Sequence, residues 1–555
     1  MSGLVISVMA VIGFGRIQAQ ETVYPRVDTQ IVLEGNTITV DGEGAEVENN
    51  VVTVVSAGTY SLSGVLDDGQ LVVDTDDEDV VNLILNGVTM HSDTSAPLYI
   101  KEAGSAVIYL VESTENILSD AAVYVYEDPE DDEPNAALFS DDALTIDGGG
   151  TLTVSAHFND GITSKDTLTL LNAVLNVSAP DDGIRGKDSL TIDGATITVD
   201  AQGDGLKADN EDDDLGIILI ESGMFDIQAG GDAMQAVTTL TINGGDFNVT
   251  TGEGSLAPIG GDDSAKGLKA DVRVNVNGGT LTLDTADDGI HANDAVRIDG
   301  GVISISSGDD AIHADRAVEI NGGVISVVQS YEGIEATVIA INGGEIRIVS
   351  SDDGVNVAGG NDGSGGPGGR APANPDYILY ITGGHLVIDA EGDGIDSNGS
   401  IEITDGVVIV NGTTRTMNAP VDYDGHFIMT GGLLIGVGSS AMAQAPDRAS
   451  TQNSLLINFT SVYEPGTMIH IENSAGESIL TFEPAKTYNS LVFSSPELES
   501  WAAYTVYVGG SSDGTAVDGL YESGTYTPGA PYTDLTISET VTLHGEMGRR
   551  GRRGN

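Results

Sequence analysis

The 555-residue sequence has no cysteine, a single tryptophan and few aromatic residues, which together make up 5% of the chain. The absence of cysteine excludes a disulfide scaffold, thiolate catalysis and a metal site with thiolate ligands. Because aromatic side chains are scarce, a core has to be built from Val, Ile, Leu and Ala, and the β-branched members of this set favour pleated surfaces. The sequence therefore favours a β-rich protein.

Basic residues are scarce as well. There are 21 Lys and Arg against 86 Asp and Glu, which gives a formal net charge of −65. This charge repels phosphate groups, so nucleic acid and anionic membrane surfaces are poor partners and divalent cations are favoured ones. Acidity that serves only solubility is the alternative, but the acids recur in register along the chain.

The N-terminal 20 residues resemble a signal peptide. The apolar run Leu4–Phe14 is followed by small and polar residues up to Ala19, although no Lys or Arg precedes the run. The run is too short to cross a bilayer, which needs about 20 apolar residues. We expect residues 1–20 to direct secretion to the outside of the cell or to its surface, with an uncleaved N-terminal anchor as the alternative.

An acidic turn recurs along the chain with a period of about 22 residues. A small or polar residue and then an apolar one follow the acid each time, and longer steps coincide with insertions. The acids of this motif are Asp160, Asp182, Asp204, Asp232, Asp288, Asp310, Glu332, Asp353 and Asp393, with Lys266 in the place of one acid. Internal repeats of this length indicate a solenoid.

Asn-Gly and Asp-Gly turns recur with the same period, and short alternating runs such as Ile197-Thr198-Val199 lie between the two kinds of turn. Each unit therefore contains about three short strands, which must stack on the next unit to be buried. Crossovers between parallel strands are almost always right-handed. The sequence predicts an all-β, right-handed parallel β-helix; a β-propeller needs longer repeats of about 40 residues.

We expect five segments. Residues 1–20 form the signal peptide, 22–140 form irregular first coils and a cap, and 141–440 form the regular coils. Residues 441–545, which contain the tryptophan, form a C-terminal β cap or accessory region, and 546–555 form a basic flexible tail.

The stacked acids predict a cation site. Two carboxylates one coil apart repel each other by about 3 to 4 kcal/mol at an effective dielectric constant of about 20, so several in a row require neutralisation. Raised pKa values, basic neighbours and bound cations are the three possibilities. Oxygen ligands at turns suit Ca²⁺. The predicted calcium ligands are Asp160, Asp182, Asp204, Asp287, Asp288, Asp309, Asp310, Asp352, Asp353 and Asp393.

Basic residues lie three positions after the turn position of the motif in five coils, on the outward face of the strand; in one of these coils the turn position is Lys266 instead of an acid. They are Arg185, Lys207, Lys269, His291 and His313. This column is predicted to attract an acidic polysaccharide; local compensation of the acids is the alternative.

The motif array resembles one known family. The segments 203–209, 287–294 and 309–315, together with Gly-Leu-Tyr and Gly-Thr-Tyr-Thr-Pro elements near 519–528, are similar to clostridial calcium-containing β-helix proteins that bind carbohydrate. The resemblance extends from about residue 40 to 540 and implies calcium, an extracellular location, a pectate-lyase-like fold, and binding to cellulose or polygalacturonate. Lys266 and Glu332 depart from the pattern, which makes calcium doubtful at those coils.

Three functions compete. The favoured one is a non-enzymatic, calcium-dependent binding protein for acidic or cell-wall polysaccharide, because a long repetitive face offers many equal contacts. A polysaccharide lyase is the alternative, with Lys165, Lys187, Lys207 or Lys269 as the base beside Ca²⁺. A structural adhesin that uses calcium only for rigidity is the third. The sequence does not indicate an oligomeric state.

Overall fold

The computed structural model describes residues 24–126, 128, 130–261, 263–359, 374–415 and 417–546. Every regular element in these ranges is a β-strand, and successive coils pair mostly in parallel. The predicted parallel β-helix is therefore confirmed, with about 15 coils. The predicted signal peptide and almost all of the basic tail lie outside the described residues, as does most of the glycine-rich insertion near residue 365.

The register of the strands confirms the period. Ile184 pairs with Leu206, which is 22 residues further on, and Ile290 pairs with Ile312 at the same spacing. Val355 pairs with Ile395 after 40 residues, so the strands on either side of the glycine-rich insertion are in register. The strands therefore keep their register across the predicted insertions.

Each regular coil contributes one strand to each of three sheets. The first sheet follows the acidic turn, the second comes next along the chain, and the third leads back to the following acidic turn. Two strands, Ile312–Ile320 and Ile334–Ile341, run from the first sheet into the second.

The strands of the regular coils have the following bounds. The first sheet contains Ala136–Ser140, Asp160–Ser164, Ile184–Gly186, Leu206–Ala208, Met234–Ala236, Leu268–Ala270, Ile290–Ala292, Val355–Val357, Ile395–Ser397 and Val421–Tyr423. The second contains Ser105–Leu110, Leu144–Asp147, Thr167–Leu171, Ser189–Asp193, Ile217–Ile220, Thr239–Ile242, Arg273–Val276, Ala295–Ile298, Ile378–Ile381, Ser400–Ile403 and Phe427–Met429. The third contains Glu115–Ser119, Thr151–Ser155, Val174–Ala179, Ala195–Ala201, Gly223–Ala229, Asp246–Thr251, Thr280–Thr285, Val302–Ser307, Val324–Gln329, Glu345–Ser350, His385–Ala390, Val407–Asn411 and Leu433–Gly438.

The first coils are less regular and begin with two antiparallel pairs. Their strands are Thr29–Gly35, Thr37–Asp41, Ala45–Glu48, Val51–Val54, Gly58–Leu66, Gln70–Asp74, Val80–His91 and Leu98–Glu102.

The C-terminal strands change direction and end the coil. Tyr488–Ser494 pairs antiparallel with Leu433–Gly438 and with Ser454–Tyr463, and Val541–His544 joins the same sheet. A separate six-stranded antiparallel sheet contains Ile469–Asn473, Ser478–Phe482, Ala503–Ser512, Ala516–Val517, Leu520–Tyr521 and Tyr526–Thr536. Large side chains, among them Phe459, Tyr488 and Phe493, fill a second core there.

The core of the helix consists of aliphatic rows. Ile184, Leu206, Leu268 and Ile290 are each completely buried and occupy equivalent positions in their coils. Alternate residues of the same strands point outward, as the period-two pattern predicts. Burial of these rows holds the coils together and fixes the outward register of the residues between them.

The second kind of turn depends on glycine. In Asp299-Gly300-Gly301 the second glycine has a φ of +98° and the first does not have a positive φ, and the same holds in several other coils. The left-handed conformation favours glycine because it has no Cβ. The turn prediction is correct, while the strained position lies one residue later than the Asp-Gly step suggests.

Within the described ranges we find no helix that is long and apolar enough to span a membrane.

Candidate cation-binding face

An acidic side chain occupies the turn before the first sheet in most regular coils. One of its carboxylate oxygens accepts a hydrogen bond from the backbone N–H of the equivalent residue in the next coil. These bonds join Asp160 to Asp182 (3.3 Å), Asp182 to Asp204 (2.9 Å), Asp204 to Asp232 (2.8 Å), Asp232 to Lys266 (2.8 Å), Asp288 to Asp310 (3.1 Å), Asp310 to Glu332 (3.3 Å) and Asp353 to Asp393 (2.6 Å). We call this row of residues the acidic ladder. The acids stack as the repeat predicts. One oxygen of each of these carboxylates accepts a hydrogen bond that links successive coils.

The outer carboxylate oxygen faces the residue three positions later in the chain. For example, the hydroxyl of Thr163 donates to Oδ2 of Asp160 at 2.9 Å. These residues pair from coil to coil and form a second row, which we call the facing column. It consists of Thr163, Arg185, Lys207, Gln235, Lys269, His291, His313, Glu335, Asn356, Asp396 and Asp422.

Lys207 neutralises two ladder acids. Its Nζ lies 2.9 Å from Oδ2 of Asp182 and 2.8 Å from Oδ2 of Asp204. Burial raises the pKa of Asp204, and the ammonium group of Lys207 opposes that rise. At these coils a basic neighbour supplies the neutralisation that stacked acids require.

Lys269 and Arg185 are also bound by carboxylates. Lys269 lies 2.8 Å from Asp232. Arg185 turns away from the ladder and forms two hydrogen bonds, of 2.9 and 2.8 Å, with Asp209 one coil away. Asp209 follows the ladder acid of its own coil, Asp204, by five positions.

Asp160 is the ladder acid that has the threonine as its facing residue. Burial and the neighbouring carboxylate of Asp182 raise the pKa of Asp160 to about 7. Asp160 is therefore one of the predicted calcium ligands whose charge is not balanced by a lysine.

The two histidines of the facing column stack on each other. Their ring centroids lie 4.9 Å apart and the ring planes differ by 10°. His291 Nδ1 lies 2.8 Å from Asp288 Oδ2, and His313 Nδ1 lies 2.9 Å from Asp310 Oδ2. Burial alone would lower the pKa of His313, but its hydrogen bonds to Asp310 and Glu335 raise it to about 11.

The five side chains predicted to contact carbohydrate are thus largely covered. The exposed fraction of these side chains runs from 9% for His313 to 22% for Lys207, and each is bound to a carboxylate. This arrangement matches the alternative interpretation of the column, which is local compensation of charge.

The C-terminal part of the facing column is acidic. Ligand oxygens of Asp353, Asp393 and Asp396 lie within 4.8 Å of one another. Burial and the nearby carboxylate of Asp352 raise the pKa of Asp353 to about 7, although a backbone hydrogen bond opposes the rise. Burial and the carboxylates of Asp353 and Asp396 raise the pKa of Asp393 to about 9.

Asn356 lies in the same stretch of the facing column. Its amide donates a hydrogen bond of 2.7 Å to Glu332. Its Oδ1 is buried and has no hydrogen-bond partner among the described residues. Burial and the carboxylates of Asp310 and Glu335 raise the pKa of Glu332 to about 10. A buried acceptor without a donor, amid carboxylates with raised pKa values, fits an oxygen-coordinated cation.

Three predicted ligands immediately precede ladder acids in the sequence. Asp287 lies 2.7 Å from Lys266 Nζ, and its ligand oxygen lies within 4.8 Å of those of Asp288 and Asp309. Asp352 accepts a hydrogen bond from Tyr331. These acids border the ladder and widen its negative face.

Sequence reasoning missed the carboxylate and amide members of the facing column. Glu335, Asn356 and Asp396 follow their ladder acids by the same three positions as the basic residues do. Extending that spacing to every coil, whatever the residue type, would have found them.

Comparison with known proteins gives three findings. The family model described as "Carbohydrate-binding domain-containing protein" matches residues 48–311. A protein of that description from Acetivibrio thermocellus is 42% identical over 242 residues, which cover 43% of this chain and 85% of that protein. A solved structure described as a polysaccharide lyase-like protein from C. thermocellum, in a gadolinium derivative, is 34% identical and covers 46% of this chain and 97% of that one, with a TM-score of 0.41.

Proposed function

This chain belongs to the family of carbohydrate-binding domain-containing proteins, and we propose that it binds an acidic polysaccharide through calcium held on the acidic ladder. The proposal rests on the C-terminal part of the face, where ladder carboxylates lie beside carboxylates of the facing column and not beside lysines. Asp353, Asp393 and Asp396 converge there, and Asp396 is the strand neighbour of Asn356, whose Oδ1 is buried without a hydrogen-bond partner among the described residues.

The donor set of this stretch suits calcium. Ca²⁺ takes about six to eight oxygen ligands, mostly carboxylates and carbonyl or amide oxygens. Asp353, Asp393, Asp396 and Asn356 supply such oxygens, and Asp422 follows Asp396 in the next coil. Carboxylates with raised pKa values hold protons near neutral pH, and they release these protons when a divalent ion binds.

At the N-terminal coils calcium has to compete with ammonium groups. The outer oxygens of Asp182 and Asp204 already contact Lys207. We therefore place the strongest calcium binding at the C-terminal part of the ladder, and weaker binding at Asp160, Asp182 and Asp204.

The charge of the protein makes calcium necessary for an anionic ligand. A net charge of −65 repels a polyuronate, whereas calcium that retains open positions can bind carboxylates of both the protein and the polymer. Equally spaced coils would repeat this contact along an extended chain and add avidity.

Binding without catalysis is supported by the state of the lysines. Proton abstraction from a uronate needs a base that is available beside the metal. Three of the four candidate bases are engaged: Lys165 contacts Glu133 at 2.6 Å, and Lys207 and Lys269 are bound to ladder acids. Lys187 is thus the candidate base on which the lyase alternative depends. A steady rise of ultraviolet absorbance from unsaturated uronates, when the protein is incubated with polyuronate and calcium, would establish the lyase instead.

The test uses the full chain. Calcium is titrated by calorimetry, and retention on immobilised polyuronate is measured with calcium and with chelator. We expect Asp393→Asn and Asp396→Asn to weaken both calcium binding and retention, and Asp226→Asn, at an exposed position on the third sheet, to change neither. Retention that survives chelation contradicts the proposal; calcium binding without any retention favours the structural adhesin.

We further propose that the protein works outside the cell or on its surface, where such polysaccharides are found. Detection of the protein in culture medium or on intact cells, rather than inside them, tests this location.

A further inference from the structure

The stacked histidines lie where the facing column changes from basic to acidic. Each Nδ1 points to the acid of its own coil, and His313 Nδ1 also lies 3.3 Å from Glu335 Oε2 in the next coil. Asp310, His313 and Glu335 are all buried, and one ligand atom from each lies within 4.8 Å of the others. This cluster differs from the rest of the face because it contains imidazole nitrogens, which can coordinate a metal ion.

The spacing of these donors fits a small metal ion. Zinc bonds to nitrogen and oxygen at about 2.0 to 2.1 Å, so ligands at the corners of a tetrahedron lie about 3.3 Å apart. The distances of 2.9 and 3.3 Å from His313 Nδ1 to Asp310 and Glu335 are close to this edge length.

The outer nitrogens of both rings have acceptors of their own. His291 Nε2 lies 3.1 Å from Asn293 Oδ1, and His313 Nε2 lies 3.5 Å from Asp315 Oδ1. A metal-binding imidazole usually donates its second N–H to such an oxygen, which fixes the tautomer and orients the ring. These contacts leave Nδ1, the atom that faces the carboxylates, as the ligand.

The local charge also favours a cation. Acids crowd three successive ladder turns: Asp287 and Asp288, Asp309 and Asp310, and Glu332, with Glu335 in the facing column beside the last of them. The cations that contact them are Lys266, His291 and His313. The acids outnumber these three cations even when Glu332 is left out, and two stacked imidazolium rings would repel each other.

We propose that Asp310, His313 and Glu335 form a binding site for a first-row transition-metal ion of the zinc type, separate from the calcium-binding stretch. Imidazole ligands suit zinc, cobalt and nickel, whereas calcium takes oxygen ligands. The face would thus hold hard ions where its donors are all oxygen and a softer ion where histidine enters the column. The site does not depend on whether the protein binds polysaccharide.

The test uses the full chain after chelation and dialysis into excess calcium, which occupies the oxygen sites. Zinc is titrated by calorimetry, and cobalt serves as a spectroscopic probe. We expect one zinc ion to bind per chain, and cobalt to give visible absorption bands that zinc abolishes. We expect His313→Gln and Glu335→Gln to weaken zinc binding by more than about 100-fold, because even outer partners of ligands change affinity by about 10- to 100-fold.

His426→Gln is the matched control, since His426 pairs with Asp447 at an exposed site elsewhere; it should bind zinc as the parent does. Circular dichroism checks that each variant is folded, and Glu335→Gln retains nearly the shape of the parent side chain. Equal zinc binding by the parent and by folded His313→Gln or Glu335→Gln would refute the site, as would the absence of zinc binding by the parent. Polysaccharide retention is measured separately, so its failure leaves the zinc result unaffected.

Discussion

Lys207 Nζ and Asp204 Oδ2 lie 2.8 Å apart on one coil, with only 22% of the lysine side chain and 12% of the aspartate side chain exposed. The ammonium group of Lys207 neutralises the carboxylate, as a bound metal ion would. It shows that the coils neutralise their stacked acids in different ways along the helix.

Replacing Lys207 with methionine should destabilise the protein. The change leaves Asp182 and Asp204 without their shared counter-ion, and removing one partner of a buried pair costs about 3 to 5 kcal/mol; partial exposure reduces this to about 2 kcal/mol. Thermal unfolding followed by circular dichroism measures the loss. Lys101→Met is the control, because Lys101 is 52% exposed beside Asp74 and should cost less than about 1 kcal/mol. Equal losses in the two variants would contradict the role of Lys207.

Without calcium, the protein should lose stability as the pH rises. Burial and neighbouring acids raise the pKa of Asp353 to about 7 and of Asp393 to about 9. Because the folded-state pKa values exceed those of the unfolded chain, near 3.9, these groups stabilise the fold only while protonated. The stability they contribute is complete below about pH 4 and is lost as the pH rises through 7 and 9.

Calcium should suppress this loss, because it replaces the protons, and its affinity should rise over the same pH range. Melting temperatures from pH 6 to pH 9, with chelator and with calcium, measure the effect; these conditions are set around the cited pKa values. Asp393→Asn should flatten the profile measured with chelator. Parallel profiles with and without calcium would count against a calcium site at Asp393.

The C-terminal sheet should weaken in mild acid. Burial lowers the pKa of His470, although Glu472 opposes the shift, and the imidazole ring stacks on Tyr526 with centroids 3.9 Å apart. A neutral buried histidine contributes stability that is complete above the unfolded-state pKa of about 6.5 and falls as the pH drops below it. Hydrogen exchange of Ile469–Asn473 between pH 7.5 and 5.5, values chosen about that pKa, should reveal this opening.

His470→Gln is the control for this effect, since glutamine does not titrate. Protection of the strand in that variant should vary no more with pH than protection of Ile290–Ala292 in the regular coils. A parent protein whose C-terminal strand is equally protected at both pH values would refute the prediction.

Alanine in place of Gly301 should destabilise a coil turn. The φ of +98° disfavours any residue with a Cβ, and the added atom would lie 3.0 Å from the carbonyl oxygen of Gly279 in the preceding coil. We expect a loss of about 1 to 3 kcal/mol. Val302→Ala is the comparison, because Val302 is 53% exposed and its change should cost less than about 0.5 kcal/mol. Chemical denaturation measures both.

The sequence predicts the fold well because one local rule repeats. The acid of each turn and the buried residue after it, such as Asp182 and Ile184, recur at the coil period, and stacking follows from the need to bury short strands. The side-chain partners are less predictable. Arg185 binds Asp209 rather than a ladder acid, and because several acids lie near its guanidinium group the repeat alone does not say which one it contacts.

The limits of sequence reasoning are also visible at the C-terminal coils. The spacing that identifies Lys207 also identifies Asp396, yet an acid beside an acid does not stand out in a chain of this composition. The carboxylates of Asp353, Asp393 and Asp396 converge because Val355 and Ile395 remain paired although 40 residues separate them in the sequence. The repeat period identifies which residues form the row, but it does not give the distances between their side chains.

The facing column gives the solenoid a direction. Its residues pass from Arg185 and Lys207 at one end, through His291 and His313, to Asp396 and Asp422 at the other. Toward one end the carboxylates are already neutralised by side chains, and toward the other they depend on a bound ion. The two ends of the face therefore differ chemically, and bridging by calcium would concentrate a bound polymer at the end where Asp396 and Asp422 lie.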